Sequence, residues 1–144
     1  MTNNIINVTG FRKVYGDFVA VDDISFAVAR GEIFGLLGPN GAGKTSTLEC
    51  LEGLRQPDGG TLQIAGVNPS REARKLRGKI GVQLQTSGLP ETISANEAMK
   101  FFCAYQGIAP RYDLLDRLGL AEKRSAAYGE LSTGQKRRLA LALA

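Results

Sequence analysis

The alternation of apolar and polar positions predicts two antiparallel strands at the start of the chain. Residues 5–15 and 18–30 each carry β-branched and aromatic side chains, and the turn pair Gly16-Asp17 lies between them. Residues 32–37 then form an apolar run, which predicts a strand buried on both faces, as in a parallel sheet. The first part of the chain is therefore predicted to consist mainly of strands.

Helical spacing follows at two places. A helix is predicted to begin after Lys44 and to end near Gly53, and from residue 94 apolar residues recur at helical spacing up to a break at Gly107. The other predicted elements are, in chain order, a turn at Pro57-Asp58-Gly59-Gly60, a short strand over 61–65, a charged helix over 69–78 that starts with Pro69, a short strand over 80–85 and a short helix over 111–118.

Composition narrows the classes of function. The 144 residues hold 18 Lys plus Arg and 14 Asp plus Glu, a net charge of +4. We interpret the dense basic run at 71–79 as one solvated helix face and expect no direct nucleic-acid contact. Cys50 and Cys103 lack a metal-ligand spacing and are interpreted as free, packed thiols. The absence of histidine excludes His-based catalysis within these residues, and no stretch has the pattern of a signal peptide or membrane span.

The strongest motif is G-x-x-x-x-G-K-[ST], the pattern of a phosphate-binding loop. It comprises Gly38, Pro39, Asn40, Gly41, Ala42, Gly43, Lys44 and Thr45. Glycines allow successive backbone N–H groups to point into one concavity, and the dipole of the following helix adds to them. We expect Lys44 to lie between the β- and γ-phosphates of a nucleotide and Thr45 to supply an oxygen to Mg²⁺. The alternative is an ordinary glycine-rich turn ahead of a helix.

A second motif, Leu131-Ser132-Thr133-Gly134-Gln135, precedes a strongly helix-forming sequence. Its plain interpretation is a helix start, with Ser132 as N-cap and Gln135 as its capping-box partner. A helix N-terminus with a hydroxyl and a glycine is also an anion site.

In this order, Tyr15-Gly16, the loop at 38–45, Ile80-Gly81 with Gln85, and the motif at 131–135 resemble the ATP-binding cassette (ABC) family. The resemblance implies an α/β fold: a P-loop NTPase core with an antiparallel β subdomain over residues 1–88, and a helical signature subdomain over 89–144. It also implies that the chain stops before the Walker B strand, whose aspartate and following glutamate hydrolysis requires. Residues 18–23 only imitate such a strand, because they precede the loop.

The resemblance implies roles for individual residues. Tyr15 would stack on adenine, although a core-facing tyrosine is the alternative. Periodicity cannot choose between Gln83 and Gln85, but the resemblance favours Gln85 as the residue that senses Mg²⁺ and water. The residues expected to bind ATP are Tyr15, Gly38, Pro39, Asn40, Gly41, Ala42, Gly43, Lys44, Thr45, Ser46, Ser132, Gly134 and Gln135, and those expected to bind Mg²⁺ are Thr45 and Gln85.

The implied function is the ATP-binding subunit of an ABC transporter, similar to the bacterial multidrug or daunorubicin-resistance export subfamily. Ser132, Gly134 and Gln135 would then serve the nucleotide of a second ATPase subunit, and the loop at 86–91 would meet a transmembrane permease. The expected location is cytoplasmic, on the inner face of the membrane through that permease. Two alternatives stay open: an ABC ATPase that acts on ribosomes or nucleic acid, and a nucleotide-binding module without catalysis.

The resemblance also carries two expectations for these 144 residues. With Lys44 and Gln85 only in supporting roles, no catalytic set is complete, so we expect nucleotide binding without turnover. A sheet that lacks the neighbour of the apolar strand at 32–37 would leave a hydrophobic edge. We therefore expect an oligomeric, swapped or marginally stable chain.

Overall fold

The structure, a computed structural model of the chain, describes residues 3–83 and 88–144. The chain forms two compact units, Met1–Ile80 and Gly81–Ala144. Each unit has its own apolar core. The assignment of a β-containing core domain to residues 1–88 and of a helical subdomain to 89–144 stays a prediction.

The first unit is built on a three-stranded antiparallel sheet. Its strands are β1 (Asn4–Tyr15), β2 (Phe18–Ala29) and β3 (Gly59–Ile64), in the order β2-β1-β3. The hairpin between β1 and β2 closes at the pair Tyr15 and Phe18, with Gly16 at φ 58° in the turn. The predicted hairpin is therefore confirmed, and residues 18–23 belong to its second strand.

Helix α1 (Lys44–Leu51) packs its buried residues against this sheet. The chain leaves the helix through Gly53, at φ 74°, as the sequence predicts. Cys50 is free and fully buried, and burial raises the pKa of its thiol. The core of this unit contains Val8, Phe11, Val21, Cys50, Leu51, Leu62, Ile64, Val67 and Leu76.

The prediction of a buried strand over residues 32–37 is wrong for this structure, which assigns no strand there. An apolar run becomes a strand only when its N–H and C=O groups pair with a neighbouring strand. Within the described ranges, no strand pairs with this segment. Ile33 is 100% exposed and Leu37 is 91% exposed, while Phe34 stacks on Phe26 of β2 at 5.0 Å between ring centroids.

Two further predicted elements are corrected. Helix α2 spans only Ala73–Arg77 and does not start at Pro69. The Asn68 side chain accepts hydrogen bonds from the amides of Ser70 (2.9 Å) and Arg71 (3.2 Å), which holds this segment in a turn. Residues 80–83 carry no strand, and the rest of the predicted strand at 80–85 lies outside the described residues.

The second unit is helical. Helix α3 (Ala95–Gln106) begins at Ser94, which forms a capping box with Glu97, and ends at Gly107 in the left-handed conformation. The hydrogen bonds that the Glu97 carboxylate accepts from the hydroxyl and the amide of Ser94 lower its pKa. Helices α4 (Tyr112–Arg117) and α5 (Thr133–Leu143) pack with α3, which confirms the predicted helices. The shared core contains Ala95, Met99, Cys103, Leu115, Leu120, Tyr128, Leu131, Leu139 and Ala142.

The exposed apolar segment at 32–37 predicts concentration-dependent association of the chain. Ile33 and Leu37 are almost fully exposed within one short segment, and burying such apolar side chains between two chains is favourable. Ile33→Lys should lower the association measured by light scattering or sedimentation. Because Ile33 is on the surface, the substitution should change the free energy of unfolding by no more than about 0.5 kcal/mol. Leu54→Lys is the matched control, since Leu54 is also exposed (65%) but lies in a different segment. A wild-type chain that stays monodisperse at high concentration would contradict the prediction.

Candidate functional site

The loop at residues 38–45 depends on two glycines in the left-handed region. Gly41 has φ 84° and Gly43 has φ 76°. A Cβ atom on Gly43 would lie 2.4 Å from the carbonyl oxygen of Ala20 and 2.4 Å from Cγ2 of Val21 in β2. Only glycine therefore allows the loop to approach β2 this closely at this φ. By contrast, a Cβ atom on Gly41 would meet no atom within 4 Å.

Gly43 is also the N-cap of α1, so the loop leads directly into the helix. The amide of Thr47 donates the first helical hydrogen bond, to the carbonyl of Gly43 at 2.9 Å, and the buried Thr47 hydroxyl donates to the same oxygen at 2.9 Å. The amides of Lys44, Thr45 and Ser46 precede this bond and have no acceptor within the helix. Together with the positive end of the helix dipole, they can bind an anion at the loop.

The Lys44 ammonium group lies over the same loop. Its Nζ donates to the carbonyl oxygens of Gly38 and Pro39, each at 2.7 Å. Among the residues that the structure describes, no ion pair joins Lys44 to a carboxylate. Backbone donors and an ammonium without an ion-pair partner suit the phosphates of a nucleotide, so the residues present fit ATP.

Tyr15 reaches this loop from the end of β1. Its hydroxyl donates to Oγ of Ser46 at 3.1 Å, and the residue is 39% exposed, which argues against the alternative of a core-facing tyrosine. Lys13 Nζ lies 5.2 Å from the ring centroid and Arg55 Cζ lies 5.6 Å from it. The fold thus brings a partly exposed Tyr15 to the predicted phosphate loop, with two cations over its ring.

The sequence reasoning missed Lys13 and Arg55. Lys13 could have been found, because it stands two positions before Tyr15 on the same strand and so shares its face. Nothing in the spacing points to Arg55, which approaches the ring through the fold. A hydrogen bond to Glu49 and the charge of that carboxylate raise the pKa of Arg55, so the guanidinium stays positive beside the ring.

The motif at 131–135 forms the predicted helix start in the second unit. The Ser132 amide donates to Oε1 of Gln135 at 2.8 Å, and the Gln135 amide donates to Oγ of Ser132 at 3.3 Å. This capping box confirms the structural interpretation of the motif. Gly134 is exposed and has open space where a side chain would lie. The expected contact of Ser132, Gly134 and Gln135 with a partner's nucleotide stays a prediction.

The expected metal ligands are only partly described. Gln85 lies outside the described residues, whereas the nearby Gln83 donates through Nε2 to the carbonyl of Arg137 at 3.4 Å. Over residues 3–83 and 88–144, no group of three or more His, Cys, Asp or Glu side chains is arranged to hold a metal ion. The hydroxyl of Thr45, next to Lys44, is a hard oxygen of the kind that Mg²⁺ prefers, so it fits as one ligand.

Comparison with known proteins decides the family. Residues 21–144 match the family model described as ABC transporter. The chain belongs to the ABC transporter family. This membership confirms the resemblance drawn from the ordered motifs.

Individual relatives agree with this assignment. The chain is 41% identical to the Nod factor export ATP-binding protein I of Ralstonia nicotianae, over 96% of this chain and 45% of that protein. A solved ATP-binding subunit of an ABC transporter superposes with a TM-score of 0.85 at 25% identity, over 97% of this chain and 61% of that one. The cbiO1 protein of Clostridium perfringens, part of the ABC transporter complex cbiONQ, gives a TM-score of 0.84 at 27% identity, over 98% of this chain and 61% of that one.

The solved relatives share the fold of this chain, and the curated relatives are longer than it is. The solved relatives confirm the predicted fold class, a P-loop ATPase fold of the ABC type. The chain spans about half the length of the curated relatives it matches. Among the helices of the described residues, none combines the length and the apolar character needed to cross a bilayer.

The two left-handed glycines predict different costs for the same substitution. Gly41→Ala should cost about 1–2 kcal/mol of stability, the usual cost of placing a Cβ atom in this region. Gly43→Ala has the same cost and adds the clash with Ala20 and Val21. We expect it to lower the free energy of unfolding by about 1–3 kcal/mol more than Gly41→Ala does. Urea unfolding of both variants measures the difference. Equal losses would show that the close approach of the loop to β2 contributes nothing.

Proposed function

We propose that this chain is part of the ATP-binding subunit of an ABC export transporter and that loop 38–45 binds the triphosphate of ATP. The observation that carries the proposal is the convergence of the Lys44 ammonium and the first amides of α1 at one loop. These groups are all hydrogen-bond donors, and a compact polyanion is the ligand that such a set recognises.

Residues around the loop complete the nucleotide site in this proposal. Tyr15 provides a flat, half-exposed ring for the base, held against the loop by its hydrogen bond to Ser46. Thr45 and Gln85 hold Mg²⁺. When bound, Mg²⁺ neutralises negative charge on the β- and γ-phosphates. The chain's own contribution is to fix the position of the phosphates through its backbone amides and Lys44.

The proposed partners follow from the family and from the named relatives. Ser132, Gly134 and Gln135 present a capped helix N-terminus for the nucleotide of a second ATPase subunit. Permease subunits would couple the two ATPase subunits to transport, and they would hold the protein at the cytoplasmic face of the membrane. The relatives are named as an export ATP-binding protein and as a part of a transporter complex, which supports transport over action on ribosomes or nucleic acid.

Hydrolysis is proposed for the whole protein and nucleotide binding without turnover for these 144 residues. Turnover requires an aspartate that holds the metal and a glutamate that activates water. The described residues contain no carboxylate-rich group arranged for a metal ion. For these 144 residues we therefore propose nucleotide binding without catalysis, the second alternative that the sequence leaves open.

Lys44→Ala tests the proposal. Removing the ammonium should weaken ATP binding by about 10- to 100-fold, the usual loss for a hydrogen bond to a charged group. Calorimetric titration with ATP and Mg²⁺ measures the affinity. Lys100→Ala is the matched control, since Lys100 is exposed on α3 in the other unit.

Two results would contradict the proposal. Unchanged ATP affinity of the Lys44→Ala variant would exclude loop 38–45 as the triphosphate site. Phosphate release that depends on Lys44 and runs at ordinary enzyme rates would exclude binding without turnover.

The proposed metal ligand is tested by the dependence of ATP binding on Mg²⁺. Thr45→Val removes the hydroxyl at nearly constant size and should reduce the gain in ATP affinity on adding Mg²⁺ by about 10-fold. Thr45→Ser keeps the hydroxyl and should retain the gain. Titration of each variant with ATP, with and without Mg²⁺, separates the metal from the nucleotide. A Thr45→Val variant with the full Mg²⁺ gain would remove Thr45 from the metal site.

A further inference from the structure

The end of β1 is held by a group of polar contacts centred on Asp58. We propose that Asp58 is a positioning residue for Tyr15, and that it acts by fixing the two residues before the ring through its carboxylate. The inference rests on the proposed function, in which the Tyr15 ring receives the base of the nucleotide.

The first contact replaces a missing strand partner. The β1–β3 pairing ends at Arg12 and Gly59, so Val14 has no partner residue in β3. The Asp58 amide donates to the carbonyl of Arg12 at 2.9 Å, and Oδ2 of Asp58 accepts the Val14 amide at 2.8 Å. The side chain of Asp58 thereby extends the contact between the two segments by one hydrogen bond, up to the residue next to Tyr15.

The second contact runs through Lys13. Its Nζ donates to the same Asp58 oxygen at 2.7 Å and to the carbonyl of Gln56 at 2.9 Å. The Lys13 side chain is only 11% exposed, and its ammonium lies 5.2 Å from the centroid of the Tyr15 ring. One carboxylate oxygen therefore fixes both the backbone before Tyr15 and a cation that contacts the ring.

Tyr15 depends on such contacts because other interactions hold the strand end weakly. The pairing of β1 with β2 is irregular between Phe11 and Lys13 and again between Lys13 and Val14. The ring itself is partly exposed, so core packing does not fix it. Segments with few buried contacts open locally more often than the core of a sheet does. The contacts of Asp58 thus stabilise the end of β1 at which its pairing with β2 is irregular.

The carboxylate is charged under ordinary conditions. The hydrogen bonds from Lys13 and from the Val14 amide lower the pKa of Asp58. Because the folded-state pKa is lowered, the stabilisation is present above the unfolded-state pKa and is lost as the pH falls through the folded-state pKa. At neutral pH the contacts with Val14 and Lys13 are therefore intact.

The test compares two ligands on the whole chain: ATP, which has a base, and inorganic tripolyphosphate, which has none. Asp58→Ala should weaken ATP binding by about 5-fold or more and leave tripolyphosphate binding unchanged, since loss of a base stack on an aromatic ring costs in this range. Asp58→Asn keeps an acceptor for the Val14 amide and should recover part of the ATP affinity. Asp22→Ala is the matched control, because Asp22 also pairs with a β1 cation, Arg12, at 3.2 Å.

A second measurement needs no nucleotide. Asp58→Ala should speed hydrogen exchange of the Val14 amide and leave the Val8 amide unchanged, since Val8 pairs with Phe26 and Leu62 within the sheet. If Asp58→Ala unfolds the sheet, exchange of the Val8 amide will also become faster. The variant Lys13→Met then replaces Asp58→Ala in the binding comparison. It removes the ammonium but keeps most of the stem, and it should reproduce the loss for ATP alone.

The results separate failure of the inference from failure of the proposed function. Unchanged Val14 exchange in Asp58→Ala, or equal losses for ATP and tripolyphosphate in Asp58→Ala or Lys13→Met, would overturn the role of Asp58. Tyr15→Ala should weaken ATP alone. If it does and Asp58→Ala does not, only the inference fails. If Tyr15→Ala has no ATP-specific effect, the proposed base site fails, and if Lys44→Ala retains tripolyphosphate binding, the phosphate site fails.

Discussion

The close approach of Gly43 to β2 is the contact on which the first unit depends. With no Cβ atom, Gly43 lies directly against Ala20 and Val21 and turns the chain into α1 at φ 76°. This contact fixes the height at which the helix begins above the sheet, and with it the position of the amides that follow. Lys44 then folds back over the carbonyls of Gly38 and Pro39, so its ammonium and the first helix amides belong to the same loop.

The proposed nucleotide site has two parts that are held in different ways. The phosphate loop is fixed by a helix start and by contact with β2, both of which are local or buried. The Tyr15 ring lies at the exposed end of a hairpin, where the strand pairing is irregular. Polar contacts from the turn before β3 therefore hold Tyr15 in position, whereas buried contacts hold the loop. The two parts have different requirements. Hydrogen bonds to a triphosphate depend on accurately placed amides, whereas stacking requires only that the ring be held in place.

The second unit is specified by its helix ends. Ser94 and Ser132 each form a capping box with the residue three positions later, and Gly107 ends α3. Such signals act over three or four residues. The sequence predicts the box at Ser132 and the break at Gly107, whereas the box of Ser94 with Glu97 is found in the structure. Segment 32–37 marks the opposite case, since its composition indicates a buried strand but no described strand pairs with it. Whether an apolar run becomes a strand depends on a partner, which its own residues do not encode.

The sequence by itself determined the hairpin, the start of α5 and the glycine-rich loop before α1, because turn residues, capping boxes and glycine spacing act between near neighbours in the chain. The order of its motifs along the chain indicated the family. Only the tertiary structure decided that Tyr15 meets Ser46 and Arg55, and that Asp58 holds Lys13 and Val14. It also placed the start of α2 after Pro69, where Asn68 binds the backbone that would have formed the first turn. The contacts of Tyr15 and Asp58 join residues far apart in the chain, so they form only in the folded protein. The Asn68 hydrogen bonds are local, but they compete with a first helical turn, and the folded backbone decides which of the two forms.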